Sequence, residues 1–346
     1  AWLRQWFMAQ SCATSTNQRV ILLRRPEGLA TPDHFEVQAE ELSELEPDMV
    51  RVGVEYLSID AGLRTKLQGE GFHSQVGVGE VLLTHGVGRI IESNDADWPV
   101  GQAVLGRLGA QTVTTIKPGS LAKIEDTGDP LSRHLGALGI STGVTAWVGV
   151  RTVAKPKAGD VFAVSAAAGA VGSLVGQIAK RDGAYVIGIA GGPEKCAYLV
   201  DTLGFDAAID YKNEDVGEQL SEFAPQGLNI FYDNVGGDIL DAALDNMAMR
   251  AKIVICGAIS QYDDMSNVTG PSRYLRLAER QSTMEGFAVF HFPEAYEQAT
   301  ADLTTWLNDG SLIAPEHVLE GIESFPEALQ FMFSGGNIGK LMVKVS

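Results

Sequence analysis

The order of hydrophobic and polar positions divides the chain into two differently patterned regions. From Gln18 to about Gly119, short alternating or β-branched runs are separated by turn-forming residues, which is typical of antiparallel strands in a barrel-like domain. From Leu131 the pattern is helical, and then apolar strands such as VFAVSAA, AYVIGIA and LNIFYDNV alternate with helices. Buried apolar strands that each lead into a helix predict a parallel sheet covered on both faces. The tail IGKLMVKV predicts a strand that pairs back into the first region.

We therefore expect an α/β protein with two domains, as its length allows. Residues 17–134 and 311–346 would form the first, β-rich domain, and residues 135–310 the second domain with the parallel sheet. Residues 1–16 are expected to lie outside both as a disordered extension, in which residues 1–7 precede an expected natural start at Met8.

Composition matters here mainly for what it excludes. A net charge of −18 argues against nucleic acid or an anionic membrane as a partner, because both would be repelled. No apolar stretch is long enough for an ordinary transmembrane helix. Three cysteines give no disulfide framework, so we expect a reducing, cytoplasmic location. The scattered histidines and cysteines show no metal-ligand spacing, and we predict no metal site.

The segment VSAAAGAVGSLVGQ places small residues between the first apolar strand and a helix. Ala167, Gly169 and Gly172 have the spacing of a dinucleotide-binding fingerprint, with alanine at the first position. Small residues let a pyrophosphate approach the backbone, and the helix N-terminus offers unpaired N–H groups. Such a turn also serves tight strand–helix packing, but the repeated strand–helix units favour a cofactor site.

The end of the second strand distinguishes the two nicotinamide cofactors. NAD-binding domains usually carry an acidic residue there, which bonds the ribose 2′-hydroxyl. This chain has Gly191 and Gly192 instead, and Lys195 follows where a 2′-phosphate would lie. We therefore predict NADPH. The alternatives are that Glu194 turns toward the ribose and favours NADH, and that Lys195 is an ordinary solvated helix lysine.

Several longer motifs resemble one family. The segments AAAGAVGSLVGQIAK, GPEKCAYLVDTLGFDAAIDYK, FYDNVGG, CGAISQY and GGNIGKLMVKV are similar to the zinc-free medium-chain dehydrogenase/reductases of the leukotriene B4 dehydrogenase/prostaglandin reductase group, which includes alkenal double-bond reductases. The resemblance covers nearly the whole chain after residue 19. It implies a GroES-like first domain, a Rossmann second domain, and a homodimer joined through the sheet edge near Phe287. It also implies NADPH-dependent reduction of the carbon–carbon double bond of α,β-unsaturated aldehydes and ketones.

The same resemblance implies a set of site residues. Those implied to contact the cofactor are Ala167, Gly169, Ala170, Val171, Gly172 and Ser173 at the pyrophosphate, Gly192 and Lys195 at the 2′-phosphate, Tyr211 near the adenosine, Asn234 along the cofactor, Cys256, Gly257, Ala258, Ile259 and Ser260 on the nicotinamide side, and Phe287, Ala288, Val289 and Asn337 around the remaining pocket. Tyr262 matches a tyrosine that would donate a hydrogen bond to the developing enolate oxygen. The alternative is that Tyr262 only walls the pocket. Cys256 itself is expected to be a buried small hydrophobe rather than a nucleophile.

The first domain departs from the family at the substrate wall. Related enzymes typically read SVDPYMR, whereas this chain reads LSIDAGLR. Asp60 and Arg64 remain and are candidates for the substrate pocket, while Ala61, Gly62 and Leu63 replace Pro-Tyr-Met and should widen or loosen that wall. Three functions stay open: an enone or enal reductase, an NADPH:quinone oxidoreductase, and a non-catalytic NADPH-binding protein of the crystallin or sensor type.

Overall fold

The computed structural model describes residues 16–69, 74–125 and 127–345. The N-terminal extension, with its expected start at Met8, lies outside the described residues except for Thr16, which already belongs to the first strand. The strands are β1 (Thr16–Leu22), β2 (Phe35–Glu41), β3 (Val50–Ser58), β4 (Gly86–Ser93), β5 (Ala103–Gly106), β6 (Val113–Ile116), β7 (Ala122–Lys123), β8 (Val161–Ser165), β9 (Tyr185–Ala190), β10 (Ala207–Asp210), β11 (Leu228–Asp233), β12 (Met247–Ile255), β13 (Thr283–Gly286), β14 (Glu316–Glu320) and β15 (Lys340–Lys344). The α-helices are α1 (Gly62–Thr65), α2 (Thr145–Val148), α3 (Ala170–Arg181), α4 (Pro193–Ala197), α5 (Val216–Phe223), α6 (Gly237–Asp245), α7 (Arg276–Glu279), α8 (Tyr296–Asn308) and α9 (Phe325–Phe333).

The first domain is built mainly from antiparallel strands. A seven-stranded sheet runs in the order β14-β15-β3-β4-β5-β7, with β6 paired to β3, while β1 and β2 form a separate antiparallel pair. β15 pairs antiparallel with β3 and parallel with β14, so the C-terminal segment returns to the larger sheet of the first domain. A core that includes Leu57, Leu82 and Phe325 joins this sheet to α9.

The second domain contains a six-stranded sheet in the order β10-β9-β8-β11-β12-β13, and every neighbouring pair is parallel. With β8 as the first strand, this is the 3-2-1-4-5-6 order of the Rossmann fold. Side chains such as Val186 and Tyr232 enter one buried cluster, and Ile187 and Phe231 enter another. Both faces of the sheet are therefore covered, which is why its strands are almost continuously apolar. The predicted fold class is confirmed.

The helical pattern that follows Leu131 forms a helix of mixed type. The π-helical turns Ile140–Val144 and Gly149–Ala154 flank α2. Trp147 of α2 is buried, and its indole N–H donates to the carboxylate of Asp302 on α8 at 2.9 Å. The apolar pattern predicts a helix here, but it does not specify the wider i→i+5 turns.

Two local features of the backbone concern the expected site residues. Gly339 pairs with Gly169 in an isolated bridge, and its N–H donates to the carbonyl of Ala168 at 2.7 Å, so the C-terminal turn lies against the small-residue turn of the second domain. β13 ends at Gly286, which leaves Phe287 in the loop after the edge strand rather than within it. Within the described ranges, every helix is too short or too polar to cross a lipid bilayer.

Candidate active site

The small-residue turn between β8 and α3 forms a cradle with unpaired donors. Ala166 has a φ of +49°, and the N–H of Gly169 closes the turn onto its carbonyl at 2.9 Å. A Cβ at Gly172 would lie 2.3 Å from that same carbonyl oxygen, so α3 begins here only because this residue is glycine. No side chain caps the N-terminus of α3. Its first N–H groups are therefore available to an anion such as a pyrophosphate.

The residues of this turn do not all face the same way. Ala170 and Val171 are half-buried and lie at the open side of the turn. Ala167 and Ser173 are fully buried, and the Ser173 hydroxyl points back to the carbonyl of Ala170 at 3.4 Å. Asn337 is buried in the adjoining C-terminal turn, where its side-chain amide donates to the carbonyl of Gly339 at 2.8 Å. The turn thus offers backbone groups rather than the serine hydroxyl.

Two lysines lie beside the glycines that follow β9. A Cβ on Gly191 would lie 2.9 Å from Cε of Lys212 and 2.8 Å from the ring of Tyr211. Lys195, on α4, donates across the cleft to the carbonyl of Gly335 at 2.9 Å. Burial lowers the pKa of Lys195, and repulsion by Lys212 lowers it further. Two ammonium groups that repel each other favour a ligand that carries negative charge between them.

Sequence reasoning missed Lys212, because its place beside the glycine turn depends on hydrogen bonds made by Asp210 in the folded chain. Asp210 ends β10, and its carboxylate accepts the N–H of Gly192 at 2.7 Å and the N–H of Lys212 at 3.1 Å. These bonds tie the glycine turn to the β10 end and bring Lys212 beside it. The carboxylate of Asp210, at the end of β10, is thus engaged by backbone N–H groups. The end of β9 itself carries no acidic residue.

Asp233 and Asn234 hold the loops after β11 and β12 in place. Asp233 accepts the hydroxyl of Ser165 at 2.9 Å and the N–H of Gly236 at 3.0 Å. Burial raises the pKa of Asp233, against the lowering effect of these bonds. The side-chain amide of Asn234 donates to the carbonyl of Ser165 at 2.8 Å. The backbone carbonyl of Asn234 accepts the N–H of Ile259 at 3.1 Å. Asp233 and Asn234 therefore fix the expected cofactor loop in place.

Tyr262 follows the 3-10 turn Ile259–Gln261. Its phenol oxygen accepts the N–H of Ala258 at 3.2 Å, so its own proton remains for donation. Burial raises the pKa of Tyr262, which keeps the phenol protonated at neutral pH. Burial also raises the pKa of the nearby Cys256 thiol to about 11, which is consistent with a packing role and not with a thiolate.

Asp60 lies just after β3, where it meets a buried lysine. Its carboxylate accepts the hydroxyl of Ser58 at 2.6 Å and the ammonium of Lys340 at 2.5 Å. The side chain of Lys340 is 3% exposed and that of Asp60 is 32% exposed. Burial alone would raise the pKa of Asp60, but attraction by Lys340 and the hydrogen bonds from Lys340 and Ser58 hold it below its usual range.

Arg64 differs from the substrate-pocket position expected for it. Its side chain is fully buried and donates to the carbonyls of Gly28 and Asp263, the latter at 2.6 Å. The guanidinium therefore binds backbone of both domains and does not line the open cleft. Phe287 packs edge-on against Tyr232 with ring centroids 6.3 Å apart.

A groove of about 560 Å³ lies at the carboxyl edge of the parallel sheet. Tyr211, Val235, Gly236 and Ser260 line it together with residues of α5 and α6. Tyr211 is 43% exposed there. Within the described ranges, no group of three His, Cys, Asp or Glu side chains is arranged to hold a metal ion.

The protein has a Rossmann sheet with an uncapped small-residue turn and two neighbouring lysines, and a β-rich domain lies across a cleft from it. These features define the class of nicotinamide-dependent oxidoreductases with two domains. Residues 18–124 match the family described as N-terminal domain of oxidoreductase, and residues 170–305 match the family described as zinc-binding dehydrogenase. The chain is 40% identical over 295 residues to the NADP(+)-dependent 2-alkenal reductase of Nicotiana tabacum. This match covers 84% of this chain and 85% of that protein. It is 32% identical over 336 residues to the NADPH-dependent curcumin reductase of Escherichia coli, at 95% and 97% coverage.

Among solved structures, CurA from Vibrio vulnificus in complex with NADPH superimposes with a TM-score of 0.89 at 35% identity, covering 95% of this chain and 99% of that chain. The protein therefore belongs to the medium-chain dehydrogenase/reductase family, in the zinc-free group of NADP-dependent alkenal and prostaglandin reductases. The resemblance seen in the sequence motifs is confirmed, as is NADP(H) as the cofactor of the group.

Proposed function

We propose that this chain reduces the carbon–carbon double bond of α,β-unsaturated aldehydes and ketones with NADPH. The observation that carries the proposal is the placement of a protonated, largely buried phenol, Tyr262, on the loop that follows the same Rossmann sheet as the paired Lys195 and Lys212. The names of the alkenal and curcumin reductases, which share most of their length with this chain, support the same substrate class.

The residues present fit the pyrophosphate and the adenosine end of the cofactor. The uncapped N–H groups at Ala170 and Val171 would hold the pyrophosphate, as the helix start offers donors and positive dipole there. Lys195 and Lys212 would hold the 2′-phosphate, and the groove beside Tyr211 would take the adenine. The space beside Gly192 is open, because a Cβ at that position would meet nothing within 4 Å.

Bound NADPH supplies a hydride to the β-carbon of the conjugated system. The chain then has to stabilise negative charge on the carbonyl oxygen until the α-carbon takes up a proton from solvent and the carbonyl re-forms. Tyr262 does so by donating its phenol proton in a hydrogen bond, while the N–H of Ala258 holds the phenol oxygen in place at 3.2 Å. The loops fixed by Asp233 and Asn234 hold the segment 256–260 against the site, so the donor is positioned before the substrate arrives.

We propose that two copies of the chain associate through β13. The parallel sheet ends at β13, which pairs only with β12 among the described strands. The preceding segment exposes large apolar side chains, with Tyr274 58% and Leu275 62% exposed. An unpaired sheet edge beside apolar surface favours pairing with a second edge. Analytical ultracentrifugation should give twice the chain mass of 36.9 kDa, and a monomer at micromolar concentration would contradict this.

We also propose a cytoplasmic location. Within the described ranges, Cys196 and Cys256 are both free thiols. Free thiols and NADPH-dependent reduction are typical of a reducing compartment. Fractionation of the native source, with NADPH-dependent activity followed in each fraction, tests this; activity confined to an extracellular or membrane fraction would contradict it.

The catalytic proposal is tested by following NADPH oxidation at 340 nm. The panel is a medium-chain 2-alkenal, 3-nonen-2-one and a simple quinone, each repeated with NADH. We expect turnover of the alkenal or the enone, with a strong preference for NADPH. Turnover of the quinone alone would support a quinone oxidoreductase instead, and tight NADPH binding without turnover of any substrate would support a non-catalytic protein.

A further inference from the structure

Backbone hydrogen bonds to the loop after β11 anchor the segment of the proposed donor as far as Ser260, and Tyr262 follows that anchored part. Tyr262 ends the turn Ile259–Gln261, in which no residue is buried, and the next turn, Met265–Asn267, has none either. Within its own domain, the Tyr262 N–H bonds the carbonyl of Ile259 at 3.3 Å, which is a long hydrogen bond. The position of the phenol therefore depends on what holds the backbone around it.

Two side chains of the first domain hold that backbone. Arg64 donates from Nη2 to the carbonyl of Asp263 at 2.6 Å, and Gln68 donates from Nε2 to the carbonyl of Tyr262 at 3.0 Å. Both donors come from α1 and the residues directly after it, nearly 200 residues away along the chain. Consecutive carbonyls of the tyrosine segment are thus bonded across the domain interface.

The Arg64 side chain is buried at the domain interface. It is 0% exposed, and its guanidinium also bonds the carbonyl of Gly28, with Nε at 3.1 Å. The carboxylate of Asp263 lies 3.6 Å from the same Nε. Burial lowers the pKa of Arg64, and attraction by Asp263 and Asp264 opposes that lowering. A buried cation is costly to keep, and an apolar side chain would fill such a position at lower cost, so its retention points to a geometric task.

The geometry of the guanidinium suits that task. Its planar fork donates in fixed directions, which lets one side chain join three separate backbone segments at set angles. Here the segments are α1, the loop at Gly28 and the backbone at Asp263. A lysine ammonium keeps the charge but cannot keep these directions.

We propose that Arg64, with Gln68, is a positioning residue that sets the location of Tyr262 through the backbone across the domain interface. This rests on the donor role proposed for Tyr262. It also explains why the arginine of the altered segment IDAGLR is present although its side chain does not line the open cleft.

The test combines Arg64→Lys, Gln68→Ala and Tyr262→Phe with one matched control. The control is Arg25→Lys, because Arg25 also donates to a backbone carbonyl, that of Leu67 at 3.1 Å, but within the first domain. Hydrogen exchange of the amides from residue 258 to 264 reads out the anchoring directly. Steady-state kinetics with a 2-alkenal read out its consequence, and melting temperature reports folding.

We expect faster exchange in residues 258–264 for Arg64→Lys and Gln68→Ala, and no change there for Arg25→Lys. Because a shift of about 1 Å costs up to 100-fold in rate, kcat of Arg64→Lys should fall about tenfold. The KM for NADPH should change less than about threefold, since the cofactor contacts lie elsewhere. In a Tyr262→Phe background, Arg64→Lys should lower kcat by less than about twofold more.

Unchanged hydrogen exchange in both Arg64→Lys and Gln68→Ala would overturn the proposal. It would also be overturned if the fold losses in kcat of Arg64→Lys and Tyr262→Phe simply multiplied in the double variant. If Arg64→Lys fails to fold, Gln68→Ala decides by the same two readouts, because Gln68 is only half-buried. If Tyr262→Phe leaves kcat unchanged while exchange rises as expected, the anchoring stands and the donor role of Tyr262 is what fails.

Discussion

Replacing Lys195 and Lys212 with methionine should remove the preference for NADPH. A hydrogen bond to a charged group contributes about 1.5–3 kcal/mol, so each lysine on a 2′-phosphate is worth about 10- to 150-fold in Kd. Lys195 belongs at the low end, because its ammonium gives up the bond to Gly335, 2.9 Å long, to reach the phosphate. Lys212 adds to this, because a phosphate between the two ammonium groups relieves the repulsion that lowers the pKa of Lys195. We expect the double variant to bind NADPH about 100-fold more weakly.

The assay is a fluorescence titration that gives Kd for both NADPH and NADH. NADH lacks the 2′-phosphate, so its Kd should change less than about threefold in either single variant or in the double variant. Wild-type binding of NADPH should weaken as salt rises, and binding by the double variant should be nearly independent of salt. Lys180→Met serves as a control, since Lys180 pairs with Asp206 on the same domain. Equal losses for NADPH and NADH, or an unchanged Kd for NADPH, would refute the reasoning.

Single substitutions elsewhere test the turn, the phenol and the buried ion pair. Gly172→Ala places a Cβ 2.3 Å from a backbone oxygen, so urea titration should show a loss of about 1–3 kcal/mol in the free energy of unfolding. Gly119→Ala is the control, because a Cβ there meets nothing within 4 Å, and it should change the free energy of unfolding by less than about 0.5 kcal/mol. Because burial raises the pKa of Tyr262, the rate should hold to about pH 10 and fall above it, and Tyr262→Phe should lack that alkaline limb; an identical limb in both would contradict the donor role. Lys340 holds the pKa of Asp60 below its usual range, so the stability from this carboxylate is present at neutral pH and is lost as pH falls below about 4. Asp60→Asn should thus destabilise by about 1–3 kcal/mol at neutral pH and by progressively less as the pH falls below about 4. A loss that does not change with pH would argue against the pair.

Sequence patterns predicted those parts of the fold that depend on local order. The apolar strands and the small-residue turn sit where expected, because burial on both faces and a Gly/Ala turn leave direct marks in the sequence. Helical periodicity after Leu131 also predicted a helix, though not its π-helical turns. The sheet edge was expected near Phe287, and β13 ends one residue before it, with the Phe287 ring packed on Tyr232.

The candidate site was less accessible to sequence reasoning, because its decisive contacts are distant in the chain. Arg64 was expected to face the substrate, and nothing near it in sequence shows that its partner is the carbonyl of Asp263. Lys212 was overlooked because its place in the site depends on a missing Cβ at Gly191 and on bonds made by Asp210. Contacts of this kind follow from the folded backbone and not from residue spacing.

The most direct test of the account is the fate of the hydride. The measurement uses NADPH with both C4 hydrogens of the nicotinamide replaced by deuterium, a medium-chain 2-alkenal and the wild-type protein, with the product analysed by NMR and mass spectrometry. The account predicts a saturated aldehyde with one deuterium on the β-carbon. An unsaturated alcohol with deuterium on the former carbonyl carbon, or no deuterated product while NADPH is bound, would contradict it.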